Sequence, residues 1–147
     1  MSPALLKTRV YWVAGAGFLA LAVAVGASSQ TRSSQVGSLT VVSQLVAFDS
    51  GTAVDQSTAA AVALKSAHDL RPELTGLRVS ASNRANGLRE VKDSNGQVIY
   101  TDSGGVNAWV IELKAPSQLG YRYVSGAAVV DASSGKIRAV SILLSNQ

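Results

Sequence analysis

The sequence predicts an α+β domain, one Ala-rich helix packed on an antiparallel β-sheet, preceded by an N-terminal transmembrane or signal helix. Three observations predict it. An uncharged hydrophobic run over residues 10–27 stands apart from the rest of the chain. One stretch, residues 55–70, repeats its apolar positions at the period of a helix. Beyond Pro72 the pattern turns to strand-length runs divided by Gly-, Asn- and Asp-bearing turns, and one helix followed by strands at hairpin spacing folds as an antiparallel sheet with the helix across one face.

The N-terminal run follows Lys7 and Arg9 and ends where Ser28, Ser29, Gln30, Thr31 and Arg32 return the chain to polar residues. It is about as long as the lower limit for a membrane-spanning helix. Positive charge on its first flank holds the N-terminus in the cytoplasm and sends the remainder across, and Tyr11 and Trp12 sit where amphipathic rings favour the headgroup level. Two outcomes fit: a signal anchor left in the membrane, or a signal peptide cut near Ala27 after small residues, which would release a secreted domain. Residues 28–38, rich in Ser, Gln, Thr and Gly, are expected as a flexible tether, leaving residues 39–147 as the folded domain.

Within that domain, residues 39–48 are apolar and partly β-branched, which fits a strand or a short helix, the strand being favoured, and Asp49, Ser50 and Gly51 break the element. Asp55 or Ser57 can cap the helix that follows, whose apolar face is Ala59, Ala60, Ala63, Leu64, Ala67 and Leu70 and which Pro72 stops. Residues 77–82 alternate as a strand. Residues 88–92 and 97–101 flank Asp93-Ser94-Asn95-Gly96, where Asn-Gly supplies the positive φ angles of a tight hairpin. After a loop at Ser103, Gly104 and Gly105, residues 108–113 alternate so that Trp109, Ile111 and Leu113 fall on one face, expected to meet the helix, with Val110, Glu112 and Lys114 on the other. Residues 121–130 and 137–144 form the last two strands, joined through Asp131-Ala132-Ser133-Ser134-Gly135.

Composition narrows the function. The formal charge is +4 and the pI about 9.7, yet the basic residues between Arg71 and Lys92 alternate with Glu73, Glu90 and Asp93, so no stripe tracks a phosphate backbone and nucleic acid is not the expected partner. Cysteine is absent, which removes disulfides, thiolate metal sites and thiol nucleophiles. His68 is the only histidine, so zinc would need carboxylates almost alone, which suit it poorly. Ser133 and Lys136 share the Ser-x-x-Lys spacing of some acyl-transfer enzymes but straddle a turn, not a helix start, and no serine has a Gly-x-Ser-x-Gly setting. Asp93-Ser94-Asn95-Gly96 lacks the later ligands of a calcium loop, and Gly104-Gly105 lacks the Lys-Ser or Lys-Thr of a phosphate loop. No catalytic, metal or cofactor residues are therefore expected. Tyr121 and Tyr123 are the candidate partner-contact residues.

Three features together resemble the PepSY-like family: the Ala-rich helix opened by residues 55–58, the strand carrying Trp109-Val110-Ile111, and the closing hairpin over residues 129–137. The likeness covers roughly residues 55–144, and Asp131 and Gly135 match the family's turn. The resemblance implies a small α+β fold related to the cystatin-like arrangement, placed outside the cytoplasmic membrane, in accessory modules that bind or restrain peptidases. It brings no catalytic residues. The expected function is a non-enzymatic extracytoplasmic module for a protein or peptide partner, with a peptidase among the candidates. The alternative is a structural or assembly component of a membrane complex that works through its N-terminal helix, where Gly15, Gly17 and several alanines allow close helix packing.

Overall fold

The computed structural model describes residues 31–44 and 53–147. The helix forms where the sequence places it. Asp55 takes an extended backbone and its Oδ1 accepts the Thr58 amide at 2.7 Å, capping α1 (Gln56–Leu70). The Thr58 contacts and the Ser57 hydroxyl hold the Asp55 carboxyl below its ordinary pKa. Arg71 leaves helical geometry just before Pro72, whose ring disfavours helix in the preceding residue. Ala59, Ala63 and Ala67, one turn apart, are fully buried, and Ala60 and Leu64 are half-buried beside them. Leu70, expected on this face, is instead 49% exposed: it is the last helical residue, one short step past Ala67, which is the last residue of the helix in the buried cluster.

Six strands form one antiparallel sheet in sequence order: β1 (Thr31–Val36), β2 (Leu39–Gln44), β3 (Arg78–Lys92), β4 (Val98–Ala115), β5 (Tyr123–Asp131) and β6 (Ile137–Ser145). The alternation in β4 sorts as expected. Trp109, Ile111 and Leu113 join the alanines of α1, Ala128 and Val130 in one cluster, and Trp109 Nε1 donates to the Val54 carbonyl at 2.8 Å. The expected hairpin also forms, with Val91 opposite Tyr100, but of the Asn-Gly pair only Gly96 has positive φ, at +79°: the Gly96 amide donates to the Asp93 carbonyl across Ser94-Asn95, so the connection is a three-residue loop ending on a left-handed glycine and not the tight two-residue turn.

Three expectations change. Residues 31–36 of the expected tether are strand: Val36 and Leu39 pair across Gly37-Ser38, Gly37 alone has positive φ, and this is the Gly-first two-residue turn that closes hairpins. Polar side chains hid this strand because all of it but Val36 is exposed. Second, the separate short strands on either side of residues 83–87 and 102–107 merge into two long ones. Asp102 Oδ1 accepts the amides of Gly104 and Gly105 at 2.9 Å each, which turns the glycines from a loop into a bulge inside β4. Third, the strand expected from Tyr121 begins at Tyr123, since Tyr121 belongs to the preceding turn. The hydrophobic segment of residues 1–27, the rest of the tether at residues 28–30, and residues 45–48 of the first expected strand lie outside the described residues. Among the described residues no helix is long and apolar enough to cross a membrane.

Four register shifts along β3 and β4 let the long hairpin curl. The β1–β2 hairpin and the distal half of β3–β4 thereby lie over the sheet face opposite α1, where Val36, Leu39, Val41, Leu88 and Val91 pack with Val110, Ala127 and Val129. Residues 31–147 cluster as one compact unit that holds both hydrophobic clusters and the six described strands.

Candidate interaction surface

The candidate residues Tyr121 and Tyr123 sit at one end of the sheet, on the connection from β4 to β5. Gln118 and Tyr121 exchange backbone hydrogen bonds at 3.2 and 2.9 Å around Leu119 and Gly120, whose φ angles are +54° and +80°. Two positive φ angles define a type I′ turn, which favours Asn-Gly, and a leucine in the first place carries strain of about 1 kcal/mol. The turn is fixed in place. The Gln118 side chain accepts the Thr75 amide at 2.8 Å and donates to the Thr75 carbonyl at 2.9 Å, and the Arg122 amide donates to Asn146 Oδ1 at 3.0 Å. So held, Leu119 and Tyr123 are each 55% exposed and Tyr121 37%. The sequence pointed to the tyrosines through their type alone; Leu119 was missed, although a non-glycine before Gly120 in a Gln-Leu-Gly-Tyr turn was its signal.

The tip is continuous with a sheet edge. Tyr123 pairs with Ser145, and among the described residues β6 pairs only with β5. From Ala139 to Ser145 the edge strand carries no charge and no proline, and every residue is half-buried. Natural edges are usually blunted by charge, proline or brevity. β1, the other edge, follows that practice: it is six residues long, polar, and bears Arg32.

A second feature lies on the face opposite α1. Glu112, 1% exposed, receives the Ser38 amide on Oε2 at 2.8 Å and the Ser38 hydroxyl on Oε1 at 2.7 Å, while Lys114 Nζ stands 3.2 Å from Oε1. A buried carboxylate is thus the clasp that holds the β1–β2 turn on the sheet. It lines a small cleft of about 40 Å³ together with Ser38, Asp93, Ile99, Ser141 and Leu143. Sequence reading placed Glu112 on the correct face but gave it no role.

Asp131 anchors the closing hairpin. Its Oδ1 accepts the amides of Ser133 and Ser134 at 2.9 and 3.0 Å and the Ser133 hydroxyl, and its Oδ2 pairs with the Arg138 guanidinium at 2.5 Å. Burial pushes its pKa up, but the Ser133 hydroxyl, the Arg138 guanidinium and the two amides outweigh that and hold it well below the usual carboxylate range. Ser133 is accordingly occupied in the turn and Lys136 closes it through its carbonyl, which accepts the Asp131 amide at 2.8 Å. Burial, then the nearby charge of Asp102, raises the Tyr100 phenol above its ordinary value. His68 is exposed near the end of α1, and among the described residues no three His, Cys, Asp or Glu side chains gather as metal ligands. No protein-family model, curated protein or solved structure matches the chain.

Proposed function

We propose that residues 31–147 are a non-enzymatic binding module that takes an extended segment of a protein partner as a seventh strand along β6, with Leu119, Tyr121 and Tyr123 gripping it at the tip. The single observation behind this reading is the unblunted edge: a nine-residue strand, uncharged from Ala139 onward and half-buried on both faces, with its outer backbone groups unpaired among the described residues. An added strand would satisfy those backbone groups and complete both hydrophobic clusters, which thin out at β6. Aromatic side chains presented by a rigid turn add contact area at low entropic cost. The hydrophobic N-terminal run supports a place for the module outside the cytoplasm, at the membrane or released from it. The likeness to PepSY-like modules makes a peptidase one partner to try.

The test is selection of a displayed random-peptide library on residues 31–147, followed by amide hydrogen exchange of the bound state. Selected peptides should slow exchange within residues 137–145. Ser141→Lys, which sets a charge into the edge, should abolish capture while circular dichroism stays unchanged. Tyr121→Ala with Tyr123→Ala should weaken binding about tenfold or more. Peptides that protect some other surface, or bind Ser141→Lys equally well, would refute the edge reading.

A further inference from the structure

We propose that a polar cleft between β1, β2 and β3 binds a sugar-sized, hydroxylated organic anion, with Arg32 and Arg84 holding its carboxylate or phosphate. The cleft measures about 390 Å³, within the range of roughly 300–1,000 Å³ that small-molecule sites occupy. It shares no residue with β6 or the tyrosine tip, so this inference goes beyond the strand-addition reading and does not depend on it.

The cleft forms where the core on the face opposite α1 opens to solvent. β1 and β2 pair in regular register, Val36 with Leu39, Ser34 with Val41 and Arg32 with Ser43. Side chains two residues apart share one side of a strand. The side of this hairpin that buries Val36, Leu39 and Val41 therefore also carries Ser34, Arg32 and Ser43, where apolar residues give way to polar ones. Residues 83–86 of β3 make the other wall, and Ala85 among them belongs to the buried cluster. The open end of a curled sheet is a favoured place for small-molecule sites.

Its charge is one-sided. Arg32 and Arg84 line it, and no acidic residue among the described residues does. Arg32 is exposed, and its guanidinium has no ion pair or hydrogen bond among the described residues. Guanidinium groups present forked donors that match the paired oxygens of a carboxylate or phosphate.

The neutral lining extends the selection. The hydroxyls of Ser34 and Ser43 and the carboxamides of Gln44, Asn83 and Asn86 are not spent on hydrogen bonds to other described residues. By contrast, Asp93, Asp102 and Gln118 are each committed to backbone amides. Hydroxyls and carboxamides both donate and accept, as sugar hydroxyls do, so the wall suits a ligand that carries several of them. No aromatic residue lines the cleft. A neutral sugar or a nucleobase therefore finds no flat face to stack on, and the anionic group supplies most of the binding.

The experiment titrates the full chain, kept in solution by a neutral detergent, and follows its amides by heteronuclear NMR. The probes are glucuronate and glucose 6-phosphate, with glucose and inorganic phosphate as controls. One or both sugar anions should shift residues 32–34, 43–44 and 83–86 saturably, and about tenfold or more tightly than either control. Which of the two binds better distinguishes a carboxylate from a phosphate ligand. Arg32→Gln, in the exposed edge strand, should weaken that binding about tenfold. If that variant loses its dispersed spectrum, salt decides: the affinity of the unaltered chain should fall between about 20 and 300 mM sodium chloride, and constant affinity would overturn the proposal. Glucose or inorganic phosphate binding as tightly as the sugar anions, no shifts at the cleft, or undiminished binding by a folded Arg32→Gln would each overturn it as well.

Discussion

Gly37→Ala is the sharpest test of how the β1–β2 hairpin is held on the sheet. Gly37 has φ +58°, and a Cβ built there would overlap Glu112 Oε2 outright. Two costs follow. Alanine in the left-handed region carries about 1–2 kcal/mol of strain. The Glu112 side chain must also move, and with 1% exposure it has no route to water, so it surrenders its bonds from the Ser38 amide and hydroxyl. Hydrogen bonds to a charged group contribute about 1.5–3 kcal/mol each, and Lys114 recovers part of the loss, so the sum is about 4 kcal/mol. Trp109 is the only tryptophan in residues 31–147 and reports urea unfolding of that unit directly. With a slope of about 2 kcal/mol per molar urea, the midpoint should fall by about 2 M at unchanged slope. In a Glu112→Ala background the overlap is gone, and the same substitution should cost only the strain, about 1–2 kcal/mol. A loss below about 1 kcal/mol, or strict additivity with Glu112→Ala, would refute the clasp.

Asp131→Asn should destabilise the unit by about 2 kcal/mol at neutral pH, since it weakens charge-assisted bonds from Ser133, Ser134 and Arg138. The folded carboxyl titrates below the unfolded value of about 3.9, so this stability is fully present above that value and is lost as pH falls toward the folded pKa. Urea titrations from pH 7 to pH 2 should show the gap between wild type and variant closing below about pH 4, and a constant gap would exclude the mechanism. Leu119→Gly relieves the left-handed leucine and should raise stability by about 1 kcal/mol while weakening selected peptides; equal or lower stability would show that the turn is not strained. Ala63→Leu forces a larger side chain between α1 and Ile111, Leu113 and Ala128, and should cost about 1–3 kcal/mol in the same unfolding assay, with no loss meaning that the helix does not pack closely there.

The fold was legible wherever a local pattern and a long-range contact agreed. Asp55 and Pro72 bound the helix because a cap and a ring clash act within a few residues, and the alternation of Trp109, Ile111 and Leu113 marked the helix-facing side because pleating is local too. Legibility failed where the determinant lay far along the chain. β1 is a strand only because β2 pairs with it and Glu112, seventy-four residues away from Ser38, holds their turn; its own side chains are polar. The β4 bulge depends on Asp102 reaching the amides of two glycines, which in sequence look like any Gly-Gly loop. Leu70 continued the apolar period of its helix, but the buried cluster takes nothing from the helix beyond Ala67.

The two features that most concern function are those that depart from what stability alone would select. An Asn at position 119 would suit the turn better than leucine, and a lysine in β6 would guard its edge, as Arg32 does in β1. Each departure exposes apolar or unpaired groups at the same end of the sheet, joined through the pairing of Tyr123 with Ser145. Strain of this kind persists where the surroundings enforce it, and here Gln118, Thr75 and Asn146 do so with bonds that have no other task in the core. A turn rigidly held in an unfavourable shape beside an open edge is preorganised for contact, because the ordering cost has been met before a partner arrives. Side-chain type in the sequence singled out the tyrosines, and the backbone around them adds what type could not: Tyr121 closes a turn that Thr75, Gln118 and Asn146 hold in place.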